Sequence, residues 1–417
     1  MTQEYPSLFD PDVLDDPFDV YDELRAHCPV HQLPENGQYV VTRHADLRAV
    51  LTDTSTFSSA PAMPAPSVVA AARAQHEVFA ERGWVRARTL QRTDPPVHTH
   101  YRRLLGRVFT PRRVMDLSPR IDEIIHTLID GFIDRGECEF VSEFALPLPG
   151  IVIAEQLGLP SDQLQLFKRW ADAMLAMAQR PLTPDEAREQ AEIELDAQHH
   201  LAREFEARRR EPTDDLISAI VHAHGTDDEP LSDEELHDLM HQLVTGGFET
   251  TTSALATAML LLIRHPDQMQ MLRDDPALVD GFVEEALRYD SPVHGLWRST
   301  TCPATVGDVT VPEGASVHVR FAAANRDPDV FDRPAEFDIT RDDVRQHVAF
   351  GVGNHFCIGA ALARAELRQA FTALLARLDE IELAEPLDGP IHEYSFFLRP
   401  MKRLPLRFRP AIAEATR

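Results

Sequence analysis

Apolar residues recur at steps of three and four along most of this 417-residue chain, so the dominant expectation is amphipathic helix. Residues 16–27 follow an Asp-Pro start signal and space Val20, Leu24 and Ala26 roughly as a helix would. Residues 121–133 repeat Ile and Leu at helical intervals, and 185–210 set Ile193, Leu201 and Phe205 among charges. The longest pattern, 231–263, opens with Ser232 and Glu235 at capping-box spacing and turns apolar toward its end. Residues 360–378 give another clear helix. Period-two alternation is short and late, at 306–311 and 317–321, bounded by Gly307, Pro312 and Gly314, with 39–42 as a further strand. The Ala-, Pro- and Ser-rich stretch 58–72 reads as a loop. Without internal repeats or a linker-like run, the expectation is a mainly α fold with minor β.

Composition narrows the function classes. A net charge of −27 argues against nucleic acid and anionic membrane surfaces, both of which call for clustered Lys and Arg. The polar, acidic start at 1–14 does not resemble a signal peptide, and the apolar run at 254–263 is too short to span a bilayer, so a cytoplasmic location is expected. The four cysteines, Cys28, Cys138, Cys302 and Cys357, are scattered without a CxxC pair, which disfavours a disulfide framework or a zinc site. His237 and His241 have i,i+4 metal-ligand spacing, but no HExxH arrangement accompanies them, and the charged stretch reads as a solvated helix face. His199 and His200 are adjacent on a helix and cannot face one site together.

A lone cysteine is most often a small buried hydrophobe. Cys357 differs because of its surroundings, Phe350-Gly351-Val352-Gly353-Asn354-His355-Phe356-Cys357-Ile358-Gly359. The glycines permit tight turns and close approach of a flat ligand. A helix begins just after the cysteine, and its N-terminal N–H groups and dipole favour a thiolate. A thiolate is an axial heme ligand that promotes O–O cleavage. The string Phe-Gly-x-Gly-x-His-x-Cys-x-Gly is matched at every fixed position, and in this the chain resembles the cytochrome P-450 family.

Other segments extend the resemblance in family order. Gly246-Gly247-Phe248-Glu249-Thr250-Thr251 places paired small residues before an acid–alcohol pair. Glycines leave room beside a helix, and a carboxylate next to a hydroxyl can relay protons. The string looks like the family's oxygen-activating motif, with Glu249 where many bacterial members carry Asp. Glu285-Ala286-Leu287-Arg288 is by spacing an ordinary i,i+3 pair, yet in this order it resembles the family's buried Glu-x-x-Arg lock, with Arg341 as third member. His98 and Arg102, four apart in the 94–103 segment, share a helix face. The resemblance assigns them, with Arg298 and His355, to the heme propionates. Residues 324–337 match the family's meander.

Several further expectations follow from the resemblance. It implies a single domain over residues 1–417 with the family's helix-rich triangular prism and small sheets. It implies heme b (iron-protoporphyrin IX) bound at Cys357, Phe350, Gly351, Gly246, Gly247, His98, Arg102, Arg298 and His355, with Glu249 and Thr250 relaying protons for dioxygen activation. Electrons would come from a ferredoxin and its reductase, for which Arg102, Arg103, Arg107, Arg112 and Arg113, with Arg364 and Arg368, offer a basic docking face. A small, largely apolar substrate would lie among residues 58–93, Leu243, Gly246, 293–297 and 395–397, with Trp84, Trp297, Phe396 and Phe397 as aromatic walls. Arg86, Arg88 and Arg92 would meet either an acidic group or solvent. Two other readings remain, a peroxide-using enzyme on the same fold and a non-enzymatic heme sensor or carrier. The Glu249–Thr250 pair counts against both.

Overall fold

The computed structural model describes residues 5–62, 66–106, 109–225 and 229–411. It is mainly helical, with three small sheets. The 231–263 pattern becomes two helices, Asp233–Gly247 and Glu249–Arg264, separated at Phe248. The first starts as its sequence requires. Ser232 accepts from the Glu235 N–H while Glu235 reaches back to the Ser232 N–H, so two orphan donors are satisfied at once.

This broken helix runs through the middle of the molecule. Its second half carries Leu255, Ala256, Met259 and Leu262 into a core shared with Pro111–Asp130, Val279–Tyr289 and Ala360–Arg377. Its first half carries Leu236, Leu239 and Met240 into a second cluster with Leu164–Gln179 and Pro184–Arg210. By length and composition Asp233–Arg264 is apolar enough to cross a membrane, but 78% of that apolar window is buried inside the fold. The demand for apolar residues on every side comes from packing between two cores.

The largest sheet orders Val30–Gln32, Tyr39–Val41, Ser316–Arg320, Gly295–Thr300 and Phe57–Ser58, with the Tyr39–Val41 and Ser316–Arg320 pair parallel and the rest antiparallel. The 306–311 alternation is a hairpin, Ala304–Val306 with Val309–Val311, turning at Gly307, whose φ of 55° suits glycine. The third sheet joins Glu137–Glu139, Pro405–Pro410 and Leu378–Leu383.

One expectation fails here. Residues 66–72 of the 58–72 stretch, read as a loop, open the helix Pro66–Arg82, and 63–65 lie outside the described residues. Ala71, Ala74 and Val78 lie at i, i+3 and i+7, and all are buried with Phe79 beside Leu182, Ala187, Ala191 and Leu195. Alanines this small let two helices approach closely, so a stripe too weak in hydrophobicity to register as a pattern still packs.

Candidate functional site

Gly351 and Gly353 take φ of 68° and 73°, which folds the cysteine loop into a short turn over Gly353–His355. The Cys357 N–H donates to Phe350 O at 2.9 Å, and the helix Ala360–Arg377 follows at once. Cys357 is exposed although protein surrounds its thiol closely. Enclosure raises its pKa. The N–H groups of Gly359 and Ala360 and the guanidiniums of Arg102 and Arg364 pull the other way, so the loop offers a thiolate four sources of stabilisation.

The helix break lies across the molecule from buried packing to open space. Gly246 is exposed although buried residues flank its helix, and a Cβ there would meet nothing within 4 Å. Gly247 does not share this role. A Cβ on it would come 3.3 Å from Ile153 Cδ1, so its absence serves close packing on Pro147–Leu157. Side-chain hydroxyls bond back to carbonyls at and just after the break. Thr250 Oγ1 donates to Gly246 O at 2.7 Å, Thr252 Oγ1 to Phe248 O at 3.1 Å and Ser253 Oγ to Glu249 O at 2.9 Å. Glu249 does not bond to Thr250. Its carboxylate lies 3.4 Å from Lys168 Nζ on Leu164–Gln179, and Lys168 also binds Asp172. Burial raises the Glu249 pKa and the Lys168 ammonium opposes that rise. Lys168 was invisible to sequence reasoning; its i,i+4 spacing to Asp172 does not say which neighbour it meets.

His98, Arg102, Arg298 and His355 come together. The His98 and His355 rings are 4.1 Å apart, and His355 Nε2 pairs with Ser59 Oγ at 2.9 Å. Burial holds His355 down at about 3, with Arg298, His98 and Arg102 adding to the effect. Burial also lowers Arg298 to about 10, against the pull of Asp94. The acid in reach, Asp94, is taken by Ser58 Oγ and the Ser59 N–H. His98 Nε2 and Arg298 Nε are buried without a hydrogen-bond partner. Buried polar atoms without partners are costly, so this cationic cluster calls for an anionic ligand beside it. Heme, a flat ring with two propionates, fits that demand. Cys357, His98, Arg102, Arg298 and His355 would hold it, and Gly246 leaves open space beside the helix break.

The Glu-x-x-Arg pair is a core lock and not a surface bridge. Glu285 and Arg288 are both 0% exposed and meet at 2.6 Å, and Arg341 reaches Glu285 at 3.3 Å. Arg288 also donates to the carbonyls of Asn325, Pro334 and Glu336, tying the meander to the helix Val279–Tyr289.

Two readings of the 83–92 loop and its surroundings need correction. His237 and His241 are 6% and 7% exposed, so they do not form a solvated face. Trp84 packs on His237, with ring centroids 4.4 Å apart, and edge-on against His199 of Pro184–Arg210. Arg86 is neither free nor solvent-facing; it binds Glu194 at 2.6 Å and His241 at 3.0 Å. The charges around these histidines belong to partners they meet in the interior. Arg88 is exposed, while burial lowers Arg92, with Arg86 adding to the effect. Among the described residues no cluster with metal-ligand geometry occurs.

The buried histidines predict an acid-labile fold. Burial is the main cause that lowers His237, His241 and His392 to about 4 and His294 to about 3. Each is neutral in the fold and has an unfolded pKa near 6.5, so its contribution is intact above that value and is lost as pH falls from about 6.5 toward 4. At pH 5 the loss is about 2 kcal/mol per histidine. Glu366 works in the opposite direction. Burial holds it at about 8, so it gains stability as pH falls from 8 toward 4.5, offsetting about 3 kcal/mol between pH 7 and 5. Urea midpoints should therefore drop clearly from pH 7 to pH 5. An unchanged midpoint would mean that these rings are not neutral in the fold.

Comparison with known proteins places these features. A family model described as cytochrome P-450 matches residues 184–404. The chain is 40% identical over 316 residues to cytochrome P-450 107B1 of Saccharopolyspora erythraea, covering 76% of each chain. It is 36% identical to 6-deoxyerythronolide B hydroxylase of the same organism, over 95% of this chain and 98% of that protein. The solved structure of CYP109Q5 from Chondromyces apiculatus superimposes with a TM-score of 0.82 at 36% identity, covering 98% of this chain and 99% of that one.

Proposed function

The chain belongs to the cytochrome P-450 family as a heme b-binding monooxygenase, and on that premise we propose that it draws electrons from a ferredoxin and its reductase to oxidise a small, largely apolar organic substrate. The observation that carries the assignment of residues is the partnerless donor set, His98 Nε2 and Arg298 Nε, beside an open Cys357 thiol. Heme held there supplies dioxygen activation and insertion of one oxygen atom into the substrate.

The remaining steps fall to the chain's own groups. Arg102, Arg298, His98 and His355 neutralise and orient the propionates. Glu249, enclosed and paired with a lysine whose side chain is 29% exposed, connects the outside to the break in the helix. Thr250 passes protons on at the open side left by Gly246. This pair supports a reductant-driven enzyme over a peroxide-driven one or a heme carrier, neither of which needs a proton relay. Thr250→Ala is expected to keep heme binding and to lower product formed per electron consumed by about a hundredfold, at the lower end of the range for loss of a general acid–base group. Peroxide release and reductant consumption measure it; unchanged coupling removes Thr250 from the relay.

Apolar walls support the substrate class. Leu296 is 37% exposed although its strand lies inside the sheet, and it shares a face with Arg298 two residues on. Val293 and Trp297 pack near Leu175 and Phe397. One relative's name records hydroxylation of 6-deoxyerythronolide B.

For the ferredoxin, the usable cations are fewer than the sequence offered. Arg102 faces Cys357, Arg364 binds Glu284 at 2.5 Å, Arg368 lies 3.4 Å from Asp280, and Arg107 is outside the described residues. Arg103 and Arg112 remain exposed, with Arg113 held only loosely, 3.7 Å from Asp214. Exposed Phe356, next to Cys357 in the chain, adds an apolar contact. Arg113→Glu should slow reduction by an acidic ferredoxin and flatten its salt dependence. Stopped-flow reduction rates that do not change with this substitution would place docking elsewhere.

A further inference from the structure

The strand Ser316–Arg320 carries two polar side chains in an otherwise valine-lined interior. His318 and Arg320 are both 0% exposed, as are Val317 and Val319 between them. Arg320 Nη1 donates to Phe396 O at 2.6 Å, and its guanidinium carbon lies 3.9 Å from the Phe396 ring centroid and 5.6 Å from that of Tyr21. Its Nε and Nη2 are without partners, as are both ring nitrogens of His318, which packs edge-on against Trp297 at 4.6 Å. The nearby carboxylate of Asp290 is engaged by Arg399 at 2.7 Å.

A buried cation without a counter-charge is expensive, and a hydrophobe of similar volume usually fills such a place at lower cost. A hydrophobe cannot donate to the Phe396 carbonyl. That carbonyl belongs to a turn held from three directions. Phe396 N donates to Gln179 O at 3.1 Å, at the end of Leu164–Gln179, and Phe397 O accepts from His294 N at 2.7 Å. Phe397 and Leu398 then pack on Leu175, with Val293 and Trp297 against them. The turn thus closes the gap between the large sheet and the helix that carries Lys168.

We propose that Arg320 is a positioning residue for ligand selection, acting through the Phe396 carbonyl to fix the turn that limits how far a bulky ligand extends between the sheet and Leu164–Gln179. The proposal rests on the heme-thiolate reading above. An azole series tests it in the heme-loaded protein without a known substrate. Imidazole reports access to the heme alone, and N-dodecylimidazole adds a long apolar chain that must pass the turn.

In Arg320→Met the imidazole dissociation constant should stay within about twofold of wild type, while that of N-dodecylimidazole changes by at least about tenfold, as expected for loss of a buried charge-assisted hydrogen bond. The thermal midpoint should not fall, because the unpaired buried charge goes with the hydrogen bond. Arg320→Lys, which keeps a donor, should bring the ratio of the two constants back to within about threefold. The proposal is overturned if the ratio is unchanged in Arg320→Met, if lysine shifts it as far as methionine does, or if Arg320→Met unfolds or melts well below wild type, which would make the arginine a stability residue. Failure of the wild-type protein to give an imidazole spectrum would strike the heme-thiolate reading instead.

Discussion

Cys357→Ser is expected to leave a folded protein that no longer gives the long-wavelength carbon monoxide difference band of a thiolate-ligated heme and no longer oxidises substrate. The fold should survive because the side chain is exposed, and the loop is held by backbone bonds such as Cys357 N–H to Phe350 O that serine retains. Function should not survive. The N–H groups of Gly359 and Ala360 and the cations Arg102 and Arg364 stabilise an anion, and a serine hydroxyl is not ionised at neutral pH. The other thiols are no substitutes. Cys138 is buried and pushed up to about 12, Cys28 lies beside His31, and Cys302 sits in an exposed bend. Activity is expected to fall by at least about a thousandfold, as when an essential catalytic group is removed. The difference spectrum and a circular dichroism melt, measured on the same sample, separate ligand loss from unfolding. A persisting thiolate band would assign the heme to another cysteine.

Arg288→Ala should be strongly destabilising. Arg288 and Glu285 are wholly buried, and truncation leaves the carboxylate with only Arg341 and the Asp338 N–H while three carbonyls lose a donor. Breaking a buried pair from one side costs about 3–5 kcal/mol, a large part of what a domain typically has. Arg288→Lys should rescue little, because a point donor cannot serve the carboxylate and three carbonyls in a planar fork. Heme retention and urea midpoints report the loss. A midpoint shift worth less than about 1 kcal/mol would make the lock dispensable.

What could be read from the sequence was local chemistry. The glycine loop around Cys357 and the Ser232–Glu235 cap both depend on residues within a few positions of each other, and both are present in the fold. Partners distant in sequence were hidden. Nothing near Glu249 points to Lys168, 81 positions away, and His237 and His241 looked solvated because the charges flanking them were counted as surface. Their true partners, Trp84 and Glu194, come from a loop and another helix. The helix Pro66–Arg82 was missed because its packing face is alanine, which small-residue contacts use and hydrophobic periodicity undercounts. Arg320 illustrates the same limit, since a cation in a strand pattern is counted as a solvent position until the neighbouring strands and the 395–398 turn cover it.

The proposed reaction is the insertion of one atom of dioxygen into an apolar substrate, driven by electrons from a ferredoxin. The most direct measurement supplies the heme-loaded protein with ferredoxin, reductase and NADPH under heavy-oxygen-labelled dioxygen, using a compound selected by its effect on the ferric spectrum, and weighs the product. The prediction is a product heavier by one labelled oxygen atom, formed only when reductant is present. A product without the label, or one formed only on addition of hydrogen peroxide, would contradict it.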